Sequence, residues 1–431
     1  MRICLFEDAH VVDLEPIALS RPAFDLQCGM TTLAEKQRRF VPLEDAGVLI
    51  RPHLADLFRL KNPNIVCNDV DWLSENVTLL VNARWLPPAR PSSLDPEQLA
   101  ADGPCLAVVG DEIAYALLSP DELESVKLDR LTEHLERCRQ TLPNRPAGGA
   151  LLRYLWEVVD ANAEQIAVDF QMTRTAESNG RPDTMTLVGP SDWLRIDPTA
   201  RIDPFVVADT SNGPIVIERD AVINSFTRIE GPCWIGPRTH LLGAQIRGGV
   251  SIGANCRVGG EVESSIIQAH TNKYHDGFLG HSYLGEWVNL GAGTHTSDLR
   301  NDYGDVKLMV DGRLVTTGRT KVGSYLGDHT KTGLGSLLNT GSNVGVFGQL
   351  LPSGELLPRF VPSFSAVEYS QLVERTDFDA AFETARRVME LRGEEFGAVH
   401  ELLYRRIAAM TLSLRQRTVQ ESRRRTLRRG A

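Results

Sequence analysis

Five of the ten histidines, His270, His275, His281, His295 and His329, fall between residues 270 and 329. An imidazole titrating near ~6.5 can move a proton or ligate a metal at neutral pH, so such clustering points to chemistry rather than to surface decoration. Three of the five lie in an unusually polar run, Gln268 to Gly285, which also holds Asn272, Lys273, Tyr274 and Asp276. A second segment, His295 to Thr320, carries Asp298, Arg300, Lys307, Asp311, Arg313 and Arg319, with Lys321 just after it. The alternative for any one of these histidines is a satisfied turn residue.

The element that must position them is a repeat. From about residue 187 an aliphatic residue followed by a small or acidic one recurs every six positions: Ile217-Glu218, Ile223-Asn224, Ile229-Glu230, Ile235-Gly236, then, after a slip, Ile252-Gly253 and Val258-Gly259. The spacing resumes at Leu284-Gly285 and Leu290-Gly291, and again from Leu326-Gly327 to Leu350. A hexad is the length of one short flat strand plus one tight corner, and three of them close a triangular coil. The aliphatic side chain points inward and stacks on its counterparts, while Gly, Asn or Asp tolerates the corner backbone. Gly and β-branched residues are too frequent for an α-helix, and strand-length alternation is missing for a sandwich. The spacing therefore predicts a left-handed parallel β-helix over 187–362. Within it, His295 to Thr320 breaks the repeat and must project as a loop, where function concentrates.

The rest of the chain frames this prism. Short apolar runs, Ile3 to Phe6, Val48 to Ile50, Asn64 to Cys67, Val77 to Val81 and Leu106 to Val109, predict a mainly parallel α/β sheet. Helical spacing follows in Asp121 to Gln140 and Leu151 to Val168, so 1–180 reads as an α/β domain with a helical connector, ending in the turn formers around Ser178 to Pro182. Glu368 to Met410 reads as helix, with Phe378, Phe382, Ala385, Val388, Met389, Val399, Leu402, Leu403 and Ile407 on one face, and 363–431 as a helical tail with an Arg-rich end.

A net charge of −10 argues against general nucleic-acid binding, the local exception being the Arg-rich stretch from Arg415 to Arg429. No apolar run approaches the ~20 residues of a membrane helix, and Met1 to Phe6 runs straight into Glu7-Asp8 without a leader's apolar core. The sequence thus predicts a soluble, cytoplasmic chain. Seven scattered cysteines without CxxC spacing predict buried thiols.

Gly280-His281-Ser282-Tyr283-Leu284-Gly285 and Val288-Asn289-Leu290-Gly291-Ala292-Gly293-Thr294 resemble the acetyltransferase signature of the bifunctional GlmU-like family. Val306-Lys307, Thr317-Gly318-Arg319 and Gly327 to Gly333 resemble the related sugar-1-phosphate nucleotidylyltransferase/acetyltransferases. The resemblance implies that His281 is the general base that deprotonates a sugar amine attacking acetyl-CoA. It implies that Asn289 orients the amino sugar, that Tyr283 and Lys307 bind the sugar phosphate, and that Gly291 and Ala292 form the CoA turn. It further implies a homotrimer with sites between subunits. Asp298 stands where the family has Asn, and one residue fewer separates His281 from Tyr283 than in the better-known GlmU pattern. The carboxylate accepts but does not donate hydrogen bonds, which bears on the acceptor substrate. A zinc site of the γ-carbonic-anhydrase kind would use His270, His275 and His281, but has no use for the CoA turn or the basic loop, so no metal is expected there.

Ala18 to Leu26 and Thr32 to Lys36 extend the resemblance to a nucleotidyltransferase-like first domain. Working enzymes of that kind have a Gly-rich loop after strand one, an Arg and a Lys on the triphosphate, and a strand-end Asp on magnesium. Here Glu7-Asp8-Ala9-His10 replaces the glycines and Val81-Asn82-Ala83-Arg84 lies near the expected metal Asp. Arg21, Asp25 and Lys36 remain candidate nucleotide contacts, and Mg2+ is expected only if this domain is active. The expected function is CoA-dependent N-acetylation of an amino-sugar phosphate, with a sugar phosphate or nucleotide sugar and CoA as partners. The rival expectation is a non-catalytic regulatory or scaffold paralogue.

Overall fold

The computed structural model describes residues 1–89, 95–124, 126–173 and 183–429, and side chains through 424. The chain forms two compact units. The first comprises 1–14, 21–26 and 31–154; the second comprises 15–20, 27–30 and 155–431.

The first unit is built on a seven-stranded sheet. Its strands are β1 (Arg2–Phe6), β2 (Ala46–Leu49), β3 (Val66–Cys67), β4 (Thr78–Asn82), β5 (Cys105–Val109), β6 (Glu112–Leu118) and β7 (Asn144–Pro146), in the order β7-β5-β6-β4-β1-β2-β3. The pairs β1–β2, β1–β4, β2–β3 and β5–β7 are parallel, as expected. Strand β6 departs from the expectation. It runs antiparallel between β4 and β5 and turns through Gly110 at φ 58°. Its side chains are buried on both faces from Ile113 to Leu118, so its apolar run has no period that would separate it from a helix. Helix α1 (Leu33–Phe40) starts at a capping box in which Thr32 and Glu35 satisfy each other's backbone amides, and α2 (Leu131–Thr141) buries Leu131, Leu135 and Cys138 against the sheet.

The second unit is the left-handed parallel β-helix that the hexads predict. In register, Ile217 pairs with Ile235 and Ile223 with Leu241, each three hexads further on. The inward residues form one buried column from Ile196 through Ile217, Ile235, Ile252, Ile267, Leu284, Leu326 and Val344 to Val361. One face of the prism includes β8 (Tyr283–Leu284), then, beyond an insertion that carries β9 (Lys307–Val310) and β10 (Arg313–Thr316), continues with β11 (Ser324–Leu326), β12 (Ser342–Val344) and β13 (Phe360–Val361). The insertion is shorter than His295 to Thr320. His295 and Thr296 still pair with Leu337 and Leu338, and β9 and β10 form an antiparallel hairpin.

Two other boundaries differ from the sequence reading. Helix α3 (Leu155–Met172), expected with the first domain, packs Ile166 and Phe170 on Val216 and Trp234 of the prism, and its Asn162 bonds Gly249 and Ser251. It belongs to the second unit, because its apolar stripe covers the outer side of a coil face. The turn at Ser178 to Pro182 lies outside the described residues. The repeat also continues past Val361: Ser365–Glu368 pairs with Gln371–Glu374 as a hairpin, and helix begins only at α4 (Phe378–Glu390), followed by α5 (Ala398–Met410) and α6 (Leu412–Arg429). Phe382, Ala385, Met389, Leu403 and Ile407 are buried, whereas Leu402 faces out.

Candidate functional site

His281 turns the corner between Phe278–Gly280 and β8 with φ 45°, a left-handed conformation uncommon outside glycine. Its amide donates to the Glu263 carbonyl of the preceding coil, and its carbonyl accepts from Gly323 of the following one, which fixes the corner on both sides. The imidazole is partly exposed, and its Nδ1 lies 2.7 Å from Asp298 Oδ2. Gly280 makes this approach possible, since a Cβ there would stand 2.6 Å from the same oxygen. Asp298 is held in turn by the backbone at the base of the insertion, where its carbonyl accepts from the Val322 amide. A carboxylate only accepts, so in the neutral imidazole Nδ1 carries the proton and Nε2 has a lone pair.

The other sequence candidates fall into three places. Lys307 opens the β9–β10 hairpin and is exposed. Asn289 lies on a different face of the prism, bridged between Asn272 and Lys331. Gly291 and Ala292 follow it at the next corner, where Gly291 donates to Thr332 Oγ1 and the Ala292 carbonyl accepts from Gly335. Within one chain His281 and Asp298 meet, while Asn289, Gly291 and Ala292 stand across a whole face from them.

One assignment needs correction. Tyr283 is fully buried, its hydroxyl donating to the Gln27 carbonyl at 3.0 Å and accepting from Gln268, so it is not open to a phosphate. The carboxylate of Asp298, a candidate substrate contact, engages the imidazole, because the insertion folds back across the His281 corner.

The histidine cluster also dissolves into separate roles. His270 and His329 join Trp287, Phe347 and Phe364 in a stacked ladder of positive-φ corner residues, with neighbouring ring centroids 4.1 to 6.2 Å apart. The ladder is covered by Phe382, Phe396 and Tyr404 of the C-terminal segment. His275 and His295 are exposed. Among the described residues no group of three or more His, Cys, Asp or Glu is placed to hold a metal ion.

In the first unit, the end of β1 is filled by its own acids. Glu7 accepts from the Ala23 and Arg51 amides and from the Arg51 guanidinium. Asp8 accepts from Asn82 and, at 2.6 and 2.9 Å, from the fully buried Arg84, which also pairs with Glu112. Burial alone would raise the Asp8 carboxyl; the bonds and charge of Arg84 hold it below its ordinary value. Arg21 and Lys36 are buried and Asp25 is half-buried, and each already has a protein partner. Where magnesium would sit, the strand end offers an amide and a guanidinium in place of a free carboxylate, so these residues do not fit the ion.

Comparison with known proteins agrees with this architecture. Residues 3–177 match the family model described as sugar nucleotidyl transferase. The chain is 34% identical over 147 residues to a bifunctional sugar-1-phosphate nucleotidylyltransferase/acetyltransferase of Sulfurisphaera tokodaii, covering 32% of this chain and 36% of that protein. It is 33% identical over 173 residues to the bifunctional protein GlmU of Acaryochloris marina, covering 38% and 33%.

Parts of the chain are thus similar to sugar nucleotidyl transferases and to bifunctional GlmU proteins.

The chain spans about a third of the length of those curated relatives. Among solved structures it aligns with the Francisella novicida UDP-N-acetylglucosamine acyltransferase at 14% identity and a TM-score of 0.26, over 50% of this chain and 74% of that one. No helix among its described residues is long and apolar enough to cross a membrane.

Proposed function

We propose that the second unit transfers an acyl group from acyl-CoA to the amine of an amino-sugar phosphate. The observation that carries this reading is the His281–Asp298 pair, partly exposed at a coil corner. Acyl-CoA supplies the acyl group as a thioester. Asp298 keeps the proton on Nδ1, and Nε2 accepts the proton that the amine gives up as its nitrogen bonds to the acyl carbon. When the carbon–sulfur bond breaks, the imidazolium returns that proton to the departing thiolate, and His281 ends neutral. The Ala292 amide, which makes no hydrogen bond among the described residues, suits the developing negative oxygen.

His281 with Asp298 and Asn289 with Gly291 and Ala292 lie on different sides of one prism, so a site that uses both sets requires two copies of the chain. This supports a homo-oligomer, and the resemblance specifies a trimer. For the first unit, the acids that occupy the strand ends favour a binding or structural domain over nucleotidyl transfer.

The test is CoA release from acetyl-CoA in the presence of amino-sugar phosphates and nucleotide-linked amino sugars. His281→Ala is expected to lower kcat by about 10²- to 10⁴-fold with the oligomer intact. Undiminished turnover in that variant would overturn the assignment.

A further inference from the structure

A cavity of about 710 Å³ lies between the β9–β10 hairpin, the β13 end of the prism face and helix α6. It falls in the roughly 300–1,000 Å³ range of small-molecule sites. Four basic residues line it: Arg300, which pairs with Asp302, and, from three different elements, Lys307 from the hairpin, Arg359 from the coil and Arg417 from α6. Lys307, Arg359 and Arg417 are exposed, and none of these three forms an ion pair among the described residues. Phe360 and Leu414 give it an apolar wall, while Asp311 and Glu421 also line it. In a chain of net charge −10, three unpaired cations converging on one recess suit an anion with more than one charged group and a flat apolar part.

Its position relates it to His281. His281, Gly323 and Gly341 head successive strands β8, β11 and β12, joined by backbone bonds from Gly323 to His281 and from Gly341 to Gly323. The Lys307 carbonyl lies against Gly341, so it stands two coils from His281, roughly 10 Å at the spacing of paired strands. Arg300, two residues beyond Asp298, lines the same cavity. Phe360 pairs with Asn343 one coil further on, so Arg359 stands three coils from His281, roughly 14 Å at the same spacing, a span that suits a nucleoside diphosphate better than a sugar 1-phosphate.

We propose that this cavity binds the nucleoside diphosphate part of a substrate of the His281 site, a proposal that rests on the acyl-transfer reading for which substrate that is. Two substrates carry this chemistry: a nucleotide-linked amino sugar, and CoA through its adenosine diphosphate. Calorimetry on the full chain, titrating UDP, dTDP, CoA and inorganic pyrophosphate separately, distinguishes them. Binding of UDP or dTDP that weakens about tenfold or more in Arg359→Ala and in Arg417→Ala assigns the cavity to the acceptor. The same pattern with CoA alone assigns it to the donor. Absence of binding by all three nucleotides, affinities unchanged in both variants, or pyrophosphate binding as tightly as the nucleotides each overturns the proposal. His281→Ala is expected to keep full nucleotide affinity. If nucleotide binding depends on Arg359 and Arg417 but the unsubstituted chain transfers no acyl group, the acyl-transfer reading falls and the cavity assignment stands.

Discussion

A carboxylate in place of an amide changes what the neighbouring imidazole can do. Asp298 accepts a hydrogen bond from Nδ1–H and stabilises the charge that His281 gains when it takes a second proton, which an amide does only weakly. Asp298→Asn is therefore expected to lower kcat about 10- to 100-fold and to change the pH dependence of kcat, with KM for the acceptor little altered. A rise in KM at constant kcat would instead make Asp298 a substrate contact. At this scale the sequence showed that residue 298 was unusual but not what it touches, because the path of the insertion back to the His281 corner has no local signature. Tyr283 failed for a related reason. The hexad distinguishes inward Leu284 from outward Tyr283, but nothing near residue 283 announces that residues 27–30 cover that face.

At the scale of elements, the corner explains why the histidines cluster. His270 and His329 occupy the same position of successive coils as Trp287, Phe347 and Phe364, so flat rings repeat there as aliphatic residues repeat in the core. The six-residue spacing was legible because one buried column demands it; the ladder was not, because its rings are set by a helical cover that follows in the chain. Burial holds the His270 imidazole below its ordinary value, and its Nδ1 makes no hydrogen bond. Below about pH 6.5 the unfolded chain takes up this proton while the folded chain resists it, so stability falls as pH drops from 7 through 6.5 until the folded imidazole also titrates. His270→Phe, which keeps a ring on Trp287, is expected to flatten that fall in denaturant unfolding followed from pH 7 to 5. An unchanged slope would show that His270 is not a source of it.

Over the whole molecule, the two units do not follow the chain in simple succession. Residues 15–20 and 27–30 belong to the second unit: Ser20 donates to Asp328, Ser251 donates to the Gly29 carbonyl, and Met30 donates to Asp169. A fragment that starts at Leu155 retains every coil of the prism but leaves Tyr283, Ser251 and Asp328 without these partners. Its thermal midpoint is expected to lie several degrees below that of the second unit in the full chain, at about 1 kcal/mol for each buried hydrogen bond lost. Equal midpoints in differential scanning calorimetry would show that the N-terminal residues contribute nothing to the prism. A boundary read from composition misses this interleaving, since composition averages over a window and the crossing segments are only a few residues long.

The bond between Ser20 and Asp328 spans 308 positions of the chain. During synthesis, residues 15–20 leave the ribosome long before the coil that receives them has been made. Residues 15–20 thus wait for partners made some three hundred positions later, and completion of the prism depends on contacts of very high sequence separation.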